Sequence, residues 1–186
     1  MNAIELLKTQ HREVEDLFAA ATEATGAKRE QIFDELLAAL VAHDAIEREI
    51  FYPECERALG EVEILGESIV EHGLVEFSLH LCDEARKKDD FEHKLVVLKE
   101  VVEHHVEEEE KELFPKVKKQ LDSETLQTLG ERMEKRFEAA KSKDARGALR
   151  ESLKNVIGGS LTRAKRSGDK KPATKRAQSS RSGRHA

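Results

Sequence analysis

Four histidines interrupt the apolar stripes of this chain at helical spacing, and on three of those stripes a glutamate follows four residues later. His11 falls among Ile4, Leu7, Val14 and Phe18. His43 and Glu47 fall among Ile32, Leu36, Leu40 and Ile50. His72 and Glu76 lie with Leu65, Ile69 and Leu79, and His105 and Glu109 with Leu98, Val102, Leu113 and Val117. Residues i and i+4 of an α-helix point the same way, about 6 Å apart. Burying imidazoles and carboxylates among such neighbours costs several kcal/mol unless each finds a partner. One cation centre would satisfy all seven at once. A mixed imidazole–carboxylate set suits a first-row transition metal such as iron, manganese or zinc.

Three further pairs have the same spacing but a different setting. His104 and Glu108 align with Lys111, His80 and Glu84 lie toward a charged helix end, and Glu15 stands beside Arg12. These read as solvated helix faces. An internal echo makes the same selection. The stretch from His43 through Glu47 to Pro53 and the stretch from His105 through Glu109 to Pro115 carry His, Glu and Pro at identical offsets. That register chooses His105 over His104. A ferritin-type site, with Glu three residues before His on two helices, is excluded because none of the histidines has such a glutamate.

The elements that must hold these side chains are helices. The 186 residues include 10 Gly, 3 Pro and no Trp, against 32 Lys+Arg and 38 Asp+Glu, a balance of strong helix formers over breakers and β-formers. Periodicity predicts helices from about Ala3 to Thr25 with a stop at Gly26, from near Arg29 to an end or kink at Pro53, from Val62 to Lys88, and from Asp90 past Pro115. Joined by short connections, they predict an all-α, up-down-up-down four-helix bundle over residues 1–120. Two accessory helical segments follow in 121–159. One carries Leu126, Leu129, Met133 and Phe137; the other carries Leu149, Leu153 and Val156 and stops at Gly158-Gly159. They suit either the outside of the bundle or a dimer surface.

His11, HDAIE from His43, HGLVE from His72, and HVEEE from His105 with its aromatic-Pro ending together resemble the hemerythrin family, in its form called the HHE cation-binding domain. The resemblance spans about Ile4 to Val117. It implies a four-helix bundle holding two non-heme irons (Fe2+/Fe3+), carboxylate- and oxo/hydroxo-bridged. Carried over residue by residue, it implies His11, His43, Glu47, His72, His105 and Glu109 as ligands, with Glu47 and Glu109 bridging. Oxygen-carrying members place a second histidine where this chain has Glu76, which is expected here as an additional carboxylate ligand. A carboxylate is harder than imidazole and favours Fe(III). That weakens the case for oxygen storage and favours binding or sensing of O2, NO or iron, or a peroxidase- or catalase-like activity on hydrogen peroxide. The third possibility is a helical interaction module whose His and Glu form a polar network. On the fourth helix, His-x-x-x-Glu replaces the carriers' His-x-x-x-x-Asp, as in bacterial and regulatory members. Leu17, Phe18 and Ile50 are available to line an open coordination position, though they read first as core. Tyr52, the one tyrosine, reads as a surface residue with a buried ring.

Charge divides the chain. Residues 160–186 hold nine basic side chains and one acid, for +8, and the formal −6 of the whole leaves −14 on the remainder. The tail has one large apolar residue, Leu161, and is expected to be disordered. Its Lys170-Lys171-Pro172-Ala173-Thr174-Lys175-Arg176 run would suit nucleic acid or another polyanion. No apolar stretch approaches a membrane span, no basic–apolar leader opens the chain, and two cysteines are too few for a disulfide framework. The expected setting is cytoplasmic.

Overall fold

The computed structural model describes residues 1–141 and 144–157, and helix is the only regular secondary structure among them. The basic tail lies outside the described residues. The helices are α1 (Ala3–Glu23), α2 (Gly26–Ile46), α3 (Tyr52–Leu59), α4 (Glu63–Ala85), α5 (Phe91–Glu108), α6 (Phe114–Gln120), α7 (Ser123–Lys141) and α8 (Ala145–Ile157). Short π-turns, Glu47–Phe51 and Glu109–Leu113, join α2 to α3 and α5 to α6. Each of those pairs is therefore one continuous rod.

Asn2 caps α1: its side chain accepts from the Glu5 amide at 3.0 Å, and Glu5 accepts from the Asn2 amide at 3.2 Å. This reciprocal pair satisfies two N-terminal donors. Gly26 does not close α1 as the sequence suggests. With φ +58° it opens α2, three residues earlier than expected, so only Ala24 and Thr25 separate the two helices. Pro53 does not end the second helix, and the chain passes Pro115 as expected. A proline inside an α-helix presses on the carbonyl four residues back and denies it a donor. Here a π-turn precedes each proline and widens the rod, so the helix runs through Pro53 to Leu59 and through Pro115 to Gln120.

α1 packs on α2, and α4 on α5; α1 also meets α5, and α2 meets α4. α7 lies over α1 and α2, while α8 lies over α2 and α4. The last two helices therefore cover the bundle. Gly130 lets α7 come close, since a Cβ there would stand 2.3 Å from the Met1 carbonyl oxygen.

Two apolar clusters fill the interior. One joins Ile4, Leu7, Ile46, Phe51, Phe114 and Val117 to Met133 and Phe137 of α7. The other joins Val14, Phe18, Leu36, Leu40, Leu98 and Val102 to Leu149 and Leu153 of α8. Between them, at the level of His11 on α1, buried polar side chains replace hydrocarbon: His11, His43, Glu47, His72, Glu76, His105 and Glu109. No described helix is long and apolar enough to cross a membrane.

Candidate metal centre

Each of the four histidines uses its two ring nitrogens for different tasks. The Nδ1 side is anchored: His11 to Glu110 at 2.9 Å, His43 to the Gln10 Oε1 at 2.8 Å, His105 to Glu71 at 2.8 Å, and His72 to Asp44. Asp44 is held in turn by Arg48 Nε at 2.6 Å. Four Nε2 atoms then face the middle of the bundle. An outer hydrogen bond that fixes the ring and its tautomer is the usual support of a metal-ligating imidazole.

The carboxylates meet these nitrogens from the π-turns. Glu47 Oε2 is 3.2 Å from both His43 Nε2 and His72 Nε2. Glu109 Oε2 is 3.5 Å from His11 Nε2 and 3.8 Å from His105 Nε2. His72 and His105 bring their Nε2 atoms to 3.1 Å. Ligand bonds of about 2.0–2.2 Å leave neighbouring donor atoms roughly 3.0–3.5 Å apart, a spacing that all of these separations but the Glu109–His105 one match. Two overlapping donor groups result. His11, His43, Glu47 and Glu109 form one, and Glu47, His72 and His105 the other. Glu47 belongs to both.

Without a cation the cluster is poorly satisfied. Both Glu47 oxygens, Glu109 Oε2, His11 Nε2 and His43 Nε2 are buried with no hydrogen-bond partner. Buried polar atoms are rarely left so, and a set of them converging from four helices is what a bound cation would use. Protonation is the other relief open to the protein. Burial opposes a charge on His72, but Asp44 and Glu47 outweigh it and carry its pKa to about 10. Burial likewise resists charge on Glu47, yet His43 and His72 hold its pKa well below the usual carboxylate range.

Six of the seven expected side chains are thus brought together. Glu76 is not. Its carboxylate accepts from Ser152 of α8 at 2.5 Å and lies 3.5 Å from Arg48. The i+4 spacing puts it on the correct side of α4, but α8 supplies a nearer partner and draws it to the rim. Tyr52 is a side chain of the cluster not expected there. It is buried, and its hydroxyl is 2.8 Å from His72 Nε2 and 3.4 Å from His105 Nε2 and donates to Glu109 Oε1 at 3.0 Å. The expectation of a surface tyrosine is therefore corrected. Burial first, then Glu109 and Glu47, push its phenol pKa well above the ordinary value.

A signal for Tyr52 was present in the sequence. On an α-helix a residue five places beyond Glu47 lies about 140° away around the axis. The π-turn bonds the Tyr52 amide to the Glu47 carbonyl and brings position i+5 back over position i. The proline that follows is the mark of that turn. Beside the imidazoles lies a small cavity of about 30 Å³, walled by Val14, Leu40, Val75, Val102 and Val106. Leu17, Phe18 and Ile50 do not line it; Phe18 is core and the other two pack against core, as they first read. The pairs set aside from the sequence differ among themselves: Glu15 and His104 are exposed, and His80 is half-buried.

The family profile described as Hemerythrin HHE cation binding domain matches residues 2–117. The chain belongs to the hemerythrin family. A solved structure agrees: a crystal structure of a hemerythrin HHE cation-binding domain-containing protein from Mycobacterium kansasii is 30% identical, with a TM-score of 0.71, over 82% of this chain and 99% of that one. No curated protein matches the chain. The hemerythrin match ends at residue 117, so α7 and α8 lie beyond it, while the likeness to the mycobacterial structure reaches further along the chain. Within a hemerythrin-family bundle, the His/Glu clusters are a metal-binding site.

Proposed function

We propose that the centre holds two non-heme irons, with His11 and His43 serving one, His72 and His105 the other, and Glu47 and Glu109 between them. The four rods carrying these residues are read as an up-down-up-down bundle, with residues 121–159 as accessory helices. The iron pair would supply one-electron redox chemistry and an open coordination position. The chain's own residues do the rest. Gln10, Asp44, Glu71 and Glu110 fix the imidazoles, and the valine-lined wall excludes bulk water.

The observation that carries the functional reading is the size of the cavity. At about 30 Å³ the pocket among the four imidazoles has room for a diatomic or a peroxide. Binding or sensing of O2 or NO follows. Tyr52 favours the second reading, consumption of hydrogen peroxide, because it sets a buried O–H against the same donor atoms. Free, buried Cys55 and Cys82 suit a reducing cytoplasm, and the +8 tail suits a polyanion such as nucleic acid.

The test is an optical spectrum of iron-replete, anaerobically reduced protein before and after O2, NO or peroxide, beside an elemental analysis. About two irons per chain and a reversible spectral change support binding. Sustained loss of peroxide supports turnover. Iron-free protein from iron-replete medium overturns both.

A further inference from the structure

A second donor cluster stands on the outer side of the centre, between α4 and α5. His104 Nε2 is 3.4 Å from Glu71 Oε1 and 3.4 Å from Glu108 Oε1. All three donor atoms lie within 4.8 Å of one another. His104 is 63% exposed, so the group opens to solvent, in a shallow concavity also lined by Glu67 and floored at Gly66. A cation with bonds of about 2.1 Å in tetrahedral array would separate its ligands by about 3.4 Å.

No Lys or Arg of the described residues is paired with Glu71 or Glu108. Nearby surface carboxylates have cationic partners: Glu110 meets Lys8 and Arg12, Glu107 meets Lys111, and Glu103 meets Lys99. Among the described residues, Glu71 and Glu108 have ion pairs only to histidines. The cluster also draws on two helices, so ordinary i to i+4 pairing does not account for it. The sequence shows only His104 and Glu108; the packing of α4 on α5 adds Glu71.

The structure assigns to Glu71, His104 and Glu108 an outer site for a third, first-row divalent cation such as Fe2+ or Zn2+. One imidazole with two carboxylates selects such ions over Mg2+ and Ca2+, which prefer all-oxygen sets. The remaining position falls to water, as the open concavity allows. Glu71 joins this site to the inner one, because its Oε2 accepts from His105 Nδ1 at 2.8 Å while Oε1 faces His104. Glu71 is therefore the wrong residue to mutate, since its loss would disturb both.

The experiment titrates the full chain, its inner centre filled with iron, with Zn2+ by calorimetry and with Co2+ by visible absorption. Wild type should take one further equivalent, displaceable by either ion and insensitive to excess Mg2+. His104→Ala and Glu108→Gln should each weaken that binding at least tenfold, with unchanged iron content and unchanged helical circular dichroism. No further equivalent in wild type, or equal binding by both variants, overturns the outer site. The same titration of the metal-free chain separates this proposal from the inner one. A failed inner centre shows as stoichiometry indifferent to His105→Ala, and a failed outer site as stoichiometry indifferent to His104→Ala.

Discussion

The stretch His43–Pro53 and the stretch His105–Pro115 each set a histidine on the last turn of an α-helix, a glutamate at the head of a π-turn, an aromatic ring five residues on, and then a proline. They differ at the ring. Tyr52 brings a hydroxyl to His72, His105 and Glu109. Phe114 stacks on His11 with centroids 5.9 Å apart and planes within 9°. One half of the centre therefore faces an O–H, the other a hydrocarbon face. A repeated backbone device guarantees delivery of a side chain; the side chain's chemistry then makes two otherwise similar halves of the cluster unequal.

The harshest way to break the comparison is to remove the imidazole from either repeat. His43→Ala and His105→Ala should each lose iron and destabilise the fold by about 3–5 kcal/mol, because buried carboxylates are left without a partner. Iron analysis and melting curves would show it. Exposed His104→Ala should keep both inner irons. Equal iron loss in His104→Ala and His105→Ala would mean that the wrong histidine of the pair has been assigned to the centre.

Making the repeats alike is gentler. Tyr52→Phe should keep the fold and weaken iron binding by roughly 10–100-fold. It should also abolish any phenolate-to-ferric charge-transfer absorption. Phe114→Tyr in that background should not restore the absorption, since that ring lies against His11. An unchanged iron affinity and spectrum in Tyr52→Phe would leave the hydroxyl as mere packing.

The half containing His72 should also control the pH response of the metal-free chain. His72 is raised from 6.5 to about 10, so the native state holds its proton more tightly than the unfolded chain. The stabilisation is complete below pH 6.5 and is lost as pH rises toward 10. Urea midpoints of the metal-free protein should fall across that window, and those of His72→Gln should fall less. A flat profile in the wild type would contradict the Asp44–His72–Glu47 arrangement.

The smallest effect is expected at Glu76. Glu76→Gln should retain two irons, because its partners are Ser152 and Arg48. Loss of one iron in this variant would return Glu76 to the ligand set.

Much of the scaffold was legible in the sequence because helical periodicity is local. A stripe of Leu, Ile and Val broken by His11, by His43 and Glu47, or by His105 and Glu109 says which face is inward and at what depth. Glu76 had the same credentials and still turned toward α8. Only the docking of α8 placed Ser152 within reach, and nothing within α4 encodes that.

Helix spacing, charge segregation and the repeated His, Glu and Pro offsets thus determined an all-helical chain with a polar layer between two apolar ends. Tertiary structure decided which groups occupy that layer. Tyr52 enters it because a π-turn, stabilised among packed neighbours, redirects position i+5. Glu71 supports His105 from one oxygen and faces His104 with the other because α4 lies against α5. Periodicity fixes direction from a single helix axis. A metal centre is made of distances between axes, and those exist only once the helices have packed.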